Sequence, residues 1–169
     1  MAGSLLHTAL VVLHIVLVTV WFGLSLRLQF QAKALTTAAT GAAESIRTNG
    51  DRTVQLMSVA IIVFYALAVA NFFVGGGFAV YGANYHASLT LGLVLVLAQV
   101  LVVQPAWGRL SGGQPAQAKR VAMGIGVGHG LWLVILVLMF YPYGGLRRTP
   151  DGAVTAPAAP AVAAPAATR

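Results

Sequence analysis

The chain of 169 residues contains no cysteine. This absence excludes disulfide bonds, iron–sulfur clusters, thiolate ligation of a haem iron and covalent attachment of a c-type haem. Only three residues are acidic, and Glu44, Asp51 and Asp151 are each isolated in polar segments. The sequence therefore shows no paired carboxylates for acid–base chemistry and no glycine-rich phosphate cradle. Histidine, carboxylate and methionine remain as possible metal ligands.

Charged side chains of either sign are also scarce. They make up 8% of the residues, whereas 59% are hydrophobic, and the mean hydropathy is +0.85. A soluble domain carries about 25% charged residues, which cover its water-facing surface. Because this chain cannot cover such a surface, we expect lipid to be its main solvent. The net charge of +7 does not indicate nucleic acid as a partner, since the basic residues form no continuous face.

Four apolar runs are long enough for the roughly 20 helical residues that cross a bilayer core. They predict helices at about 4–28, 54–76, 84–104 and 119–142. Three glycines, Gly75–Gly77, close the second run. Gln104-Pro105 ends the third, because proline is a natural helix stop. The sequence thus predicts an all-α, integral membrane, up-and-down four-helix bundle over residues 1–145. Residues 146–169, rich in alanine and proline, are predicted to form a disordered tail.

The distribution of basic residues sets the expected orientation. The first and third connections carry seven of them, against none in the second connection and three in the tail. Lysine and arginine favour the cytoplasmic side, so both termini should lie outside. We expect a multi-pass protein of a bacterial inner membrane. Aromatic residues support these boundaries, with tyrosines at the outer interface and Trp21 and Trp107 towards the inner one.

The four histidines lie in the apolar runs or at their ends, where an ionisable imidazole is costly and usually has a partner. His14 and His129 are each about ten residues, or about 15 Å, from an end of their helix, so they should share a level near the midplane. His7 and His86 lie near the outer ends of their helices and form a second possible layer. The seven-residue spacing of His7, His14 and Trp21 places them on one face, which should point to the bundle interior.

A b-type haem between facing helices would use such a midplane pair as its axial ligands. Gly126 and Gly130, next to His129, would provide space for the macrocycle. The outer pair, His7 and His86, would form a second haem or metal site, with copper as one possibility.

Each of these features also has a purely structural interpretation. The pairs Gly124/Gly128 and Gly126/Gly130 have the small-xxx-small spacing that lets membrane helices pack closely. The midplane histidines could instead form a buried hydrogen bond between helices. The outer histidines could bond water, lipid headgroups or backbone. These alternatives stay open at the level of the sequence.

The segment LHIVLVTVWFG, Leu13–Gly23, with an arginine a few residues on, resembles the opening helix of a group of small four-helix membrane proteins. The group includes the HemJ-type protoporphyrinogen oxidase and the copper-resistance protein CopD. The His-Gly pair at 129–130 is similar to the last helix of uncharacterised members. The resemblance implies a haem held by membrane histidines, with His14 as an axial ligand. This chain departs from the enzyme-type members, because its third helix contains no charged residue.

The leading hypothesis is a membrane b-type cytochrome or haem-binding subunit that transfers electrons to or from a quinone or a partner complex. Under this hypothesis the protein is an electron-transfer or accessory subunit rather than a stand-alone enzyme. The alternative is a non-catalytic subunit of a larger membrane complex or a homo-oligomer, with the glycine-rich face packed on partner helices. A third hypothesis is a copper- or other metal-handling protein. A transporter ranks last, because broken helices, inverted repeats and intramembrane charges are absent from the sequence.

Overall fold

The computed structural model describes residues 2–79 and 81–140, together with 147–148 and 154–155. Its elements in chain order are α1 (Ala2–Leu35), α2 (Thr40–Val74), a 3₁₀ turn (Gly77–Ala79), α3 (Ala83–Ala98), a π-helical segment (Gln99–Val103), α4 (Gln104–Ser111), α5 (Gln117–Phe140), β1 (Arg147–Arg148) and β2 (Val154–Thr155). The two short strands pair antiparallel. They fall within the predicted disordered tail, the rest of which lies outside the described residues.

The described part of the chain contains four helices that are long and apolar enough to cross a membrane. They are Leu5–Leu35, Thr40–Val74, Ala83–Ser111 and Gln117–Met139, the third of which joins α3, the π segment and α4. The all-helical, four-helix prediction is therefore confirmed. α1 and α3 each pack against both α2 and α5. We call the end at which α1 begins and α2 ends the upper end, and the opposite end the lower end.

The first two helices extend much further than the sequence predicts. Residues 29–53 were expected to form a polar connection, but only Thr36–Ala39 separate α1 from α2. The expectation was wrong because this segment, although polar, is rich in alanine and other good helix formers. Helices of 34 and 35 residues are about 50 Å long, against about 30 Å for a bilayer core. The α1–α2 hairpin therefore continues at the lower end beyond its apolar part.

Pro105 does not end the third helix, contrary to the prediction from sequence. The chain forms a wide π-helical turn immediately before it, in which the Gln104 backbone N–H donates to the Gln99 carbonyl oxygen. A proline ring clashes with the carbonyl four residues earlier and has no N–H to donate. The widened turn relieves the clash and does not need the missing N–H, so the helix continues to Ser111.

The upper turn between α2 and α3 requires glycine. Gly76 and Gly77 have φ angles of 109° and 56°, which side chains with a Cβ rarely adopt. The Gly75 backbone N–H donates to the Asn71 carbonyl oxygen and closes the last turn of α2. The prediction that Gly75–Gly77 ends the second helix is confirmed.

A dense core fills the lower half of the bundle. Side chains at most 2% exposed come from every long helix there: Leu28, Met57, Val103, Trp107, Val121 and Ile125. Trp107 donates its indole N–H to Asp51 Oδ1 at 2.7 Å. Trp21 and Trp107 are both only 1% exposed, so they pack inside the bundle and do not form part of a lipid-facing aromatic belt. Their size suits them to fill the space between helices.

A short polar network crosses this core where the helix widens. Gln99, 2% exposed, donates through Nε2 to Ser58 Oγ at 3.1 Å. The Ser58 hydroxyl donates to the Val54 carbonyl oxygen at 2.9 Å. The Gln99–Ser58 bond ties the π segment to α2.

We expect Gly50→Ala to destabilise the protein. A Cβ at Gly50 would overlap the ring of the buried Trp107, and overpacking a core typically costs about 1–3 kcal/mol. The matched control is Gly41→Ala, also on α2, where a Cβ meets no atom within 4 Å. Thermal unfolding of detergent-solubilised protein, followed by far-ultraviolet circular dichroism, measures both. Equal melting temperatures for the two variants would contradict the packing described here.

Candidate functional site

The upper half of the bundle contains a partly open cavity of about 310 Å³. We call it the upper cavity. Its wall is mostly apolar and includes Val11, Val18, Phe64, Phe72, Trp132, Ile135 and Leu136. The polar side chains on the wall are His7, His14, Tyr65, Asn71, Tyr81, Tyr85 and Ser88. A largely apolar cleft of at least about 300 Å³ with a few polar groups has the character of a small-molecule site.

The upper cavity contains no charged side chain. No aspartate, glutamate, lysine or arginine occurs in residues 2–26, 53–108 or 121–140, which form the upper half and most of the lower core. At the upper turn, burial and the neighbouring Tyr85 raise the pKa of Tyr81, so its phenol is protonated at neutral pH. The cavity therefore offers hydrogen bonds and aromatic surfaces without a fixed charge.

His14 is held in one tautomer by a backbone hydrogen bond. Its Nδ1 lies 3.2 Å from the carbonyl oxygen of Phe64, and its ring stacks on the Phe64 ring at 4.1 Å between centroids. A carbonyl oxygen only accepts, so Nδ1 carries the proton and Nε2 keeps a lone pair. Metal-ligating histidines typically donate their other ring N–H in this way. His14 is thus prepared to act as a ligand on the cavity wall.

The position of His14 follows from matched seven-residue spacings on α1 and α2. His7, His14 and Trp21 lie on one face of α1, and the first two line the cavity while Trp21 is buried below it. The prediction that this face points inwards is confirmed. Phe64 and Asn71 are also seven residues apart on the antiparallel α2. His14 lies at the same level as Phe64. Because the two spacings are equal, His7 lies at the same level as Asn71, two helical turns higher.

His7 and Asn71 each carry a buried polar atom that lacks a partner. Neither Nδ1 of His7 nor Oδ1 of Asn71 forms a hydrogen bond with any residue that the structure describes. Both side chains line the upper cavity. Buried polar atoms are normally satisfied, so these two atoms are available to a ligand in the cavity.

His129 is engaged in a different contact. Its Nε2 lies 2.6 Å from Ser25 Oγ, and the Ser25 hydroxyl donates to the Phe22 carbonyl oxygen at 2.7 Å. Since the serine proton is used there, His129 Nε2 donates and Ser25 accepts. The imidazole also contacts the Phe22 ring, with centroids 4.4 Å apart. His129 therefore joins α5 to α1 through a hydrogen bond and an aromatic contact.

The structure does not bring His14 and His129 together at one level, as the predicted haem pair requires. His129 contacts Trp21, Phe22 and Ser25, which lie seven to eleven residues beyond His14 on α1, or about 10–16 Å along the axis. The prediction counted residues from assumed helix ends. It failed to place the pair because α1 extends to Leu35 and the α1–α5 register is set by side-chain packing.

His86 lies outside the wall of the upper cavity. Its ring stacks on Phe78 at 4.9 Å between centroids and meets Phe72 edge-on at 5.3 Å. Phe72 in turn stacks on Tyr81. The predicted outer pair is therefore divided, with His7 on the cavity wall and His86 in an aromatic cluster of the upper turn.

The glycines of α5 serve two different faces. A Cβ at Gly124 would lie 2.8 Å from Val103 Cγ2, and one at Gly128 would lie 3.3 Å from Leu95 Cδ1, so these two allow close packing on the third helix. A Cβ at Gly126 or Gly130 would meet nothing within 4 Å. These two face outwards and leave open space on the bundle surface, away from the upper cavity.

Among the described residues no group of three or more histidine, cysteine, aspartate or glutamate side chains could hold a metal ion. Comparison of the chain with protein-family models, with curated proteins and with solved structures found no match.

Sequence reasoning missed two residues that hold the predicted histidines in place. Phe64, which fixes the His14 tautomer, carries that role on its backbone, so its side-chain type gives no signal. Ser25 is an ordinary small residue of an apolar helix. A search for equal spacings on adjacent antiparallel helices could have linked Asn71 to His7, because Phe64 and Asn71 repeat the spacing of His14 and His7.

We expect Ser25→Ala to destabilise the α1–α5 contact. The change leaves the N–H of the half-buried His129 without its acceptor, which costs about 1 kcal/mol, the lower end of the range for buried donors. The control is Thr19→Ala, because the exposed Thr19 hydroxyl bonds only the Ile15 carbonyl of its own helix. Thermal unfolding in the same detergent measures both. If Ser25→Ala melts no lower than the control, His129 is not held by this bond.

Proposed function

We propose that the protein is a multi-pass membrane protein whose four long helices cross the bilayer. Its helices carry many large apolar side chains on their outer surfaces, among them Leu5 at 73% exposure, Leu101 at 66% and Val137 at 60%. Such side chains on all faces of a bundle suit a lipid solvent. The lower end carries the basic residues Arg27, Lys33, Arg47, Arg52, Arg109, Lys119 and Arg120. This asymmetry supports a cytoplasmic lower end and termini outside, in a bacterial inner membrane.

Single-cysteine variants test this orientation, since the chain has no cysteine of its own. Ala83→Cys at the start of α3 and Gln114→Cys in the α4–α5 turn change exposed positions at opposite ends. In intact spheroplasts, a membrane-impermeant maleimide should label the Ala83→Cys variant alone, and both variants should react after the membrane is permeabilised. Labelling of the Gln114→Cys variant alone in intact spheroplasts would reverse the orientation. Equal labelling of both variants would contradict the spanning arrangement.

We further propose that the upper cavity holds a haem b for electron transfer, with His14 as an axial ligand. The observation that carries this proposal is the His14 imidazole on the cavity wall, whose Nδ1–H is bound to the Phe64 carbonyl while Nε2 keeps its lone pair. The neutral, aromatic wall also suits a largely apolar macrocycle. Such a group would supply one-electron chemistry at its iron.

The donors on the wall fit a haem with one protein imidazole rather than two. His7 is two helical turns, about 10 Å, from His14 on the same helix, so the two cannot ligate the same iron. His129 donates its Nε2–H to Ser25 and lies deeper in the bundle. His14 would hold the iron, and the rings of Phe64 and Trp132 would border the macrocycle. The electron partner, a quinone or a partner complex, stays a prediction.

Absorption spectra of the purified protein test this proposal. The wild type, purified with haem supplied during expression, should show a Soret band and sharp α and β bands after reduction. His14→Ala should lose them, because no other cavity imidazole can take the same position. His129→Gln is the matched control and should keep them, since it changes an intramembrane histidine that does not face the cavity. A colourless wild type, or loss only in His129→Gln, would overturn the assignment.

A second candidate function is a helical subunit of a larger membrane assembly. The open surface at Gly126 and Gly130 on α5 favours it, because outward glycines allow another helix to approach closely. A colourless preparation that elutes as an oligomer, and that becomes monomeric in Gly126→Leu, would favour this function over the haem protein.

A further inference from the structure

We propose that His7 and Asn71 bind a carboxylic acid group of the ligand in the upper cavity, which for a haem is a propionate side chain. The inference rests on the proposed haem site and deepens it, because it assigns the orientation of the macrocycle. The propionate edge would face the upper end, and the iron would lie two turns lower, beside His14. His7 and Asn71 are then positioning residues for the ligand.

The first support is the pair of unpaired atoms. Nδ1 of His7 and Oδ1 of Asn71 are both inaccessible to solvent, and neither bonds any group within the described chain. Leaving either one dry and unpaired is costly. Both belong to side chains of the cavity wall. We therefore expect one group of the ligand in the cavity to form hydrogen bonds with both atoms.

The second support is the register of the two helices. His14 contacts Phe64. Seven residues closer to the upper end, α1 carries His7 and the antiparallel α2 carries Asn71. The two residues thus face each other across the α1–α2 seam, about 10 Å above His14. A planar ligand held at His14 and extending upwards along this seam would bring its edge between them.

The third support is the chemistry that satisfies both atoms at once. A carboxylic acid accepts through its carbonyl oxygen from a His7 N–H and donates its hydroxyl to Asn71 Oδ1. No lysine or arginine lies on the upper half of the described helices to stabilise an anion, and burial favours the neutral acid. A phosphate would bring at least one negative charge without a cationic partner, and a cation would lack a carboxylate.

The test compares two porphyrins that differ only in whether their two propionic acid groups are free or esterified. Purified full-length protein in detergent is titrated with haemin and with haemin dimethyl ester, and binding is followed by the Soret shift. The ratio of the two affinities is then compared between the wild type and each variant. This comparison cancels the different partitioning of the two porphyrins into the micelle.

Relative to the wild type, His7→Phe and Asn71→Leu should each lower the preference for the free acid about tenfold, as expected for one lost hydrogen bond. Their affinity for the dimethyl ester should stay unchanged, which also shows that they fold. His7→Gln keeps a donor and should restore part of the preference. His86→Phe is the control, since His86 lies outside the cavity wall, and it should keep the wild-type ratio.

The outcomes separate the two proposals. If the wild type binds both porphyrins and neither variant changes the affinity ratio, His7 and Asn71 do not bind the acid group. A water bridge or another orientation of the ligand then replaces this inference, and the haem site stands. If the wild type binds neither porphyrin, the haem proposal fails and this inference fails with it. Where either variant fails to bind the ester, His7→Ala or Asn71→Ala, which only remove atoms, gives the same comparison.

Discussion

The hydrogen bond from His14 Nδ1 to the carbonyl oxygen of Phe64 ties α1 to α2 at one register, and the upper half of the molecule depends on that register. It places His7 opposite Asn71 and keeps the His14 imidazole against the Phe64 ring. In an apolar bundle, a polar side chain that misses its partner is costly. A single turn of slip between the helices would therefore break the bond between His14 and Phe64 and would move His7 away from the level of Asn71.

The two halves of the bundle are built differently. The lower half is filled by large buried side chains such as Trp107 and Met57, and by the Gln99–Ser58 hydrogen bond at the π segment. The upper half leaves about 310 Å³ between the same four helices. A rigid lower core with a hollow upper half suits a protein that positions a ligand, because the packed part fixes the spacing of the walls.

The sequence was most informative where one property repeats along a whole helix. Long apolar runs identified four helices, and the spacing of His7, His14 and Trp21 identified the inward face of α1. It was misleading at helix ends. The predicted helix end at Pro105 did not take account of the π-helical turn that accommodates the proline. The polarity of residues 29–53 indicated a connection, although their alanine-rich composition favours a helix. Local stop signals and polarity are weaker than the cooperative gain of continuing a helix.

By itself, the sequence determined a bundle of four apolar helices without charges in their upper parts, and histidines that had to find partners within it. Only the tertiary structure decided which partners they found. His14 bonds a backbone carbonyl on a cavity wall, His129 bonds Ser25 deeper in the bundle, and His86 stacks among aromatic rings. The reason is physical: periodicity fixes the face on which a residue lies, whereas its level against another helix depends on how side chains interlock along the whole contact. No count of residues from a helix end contains that information.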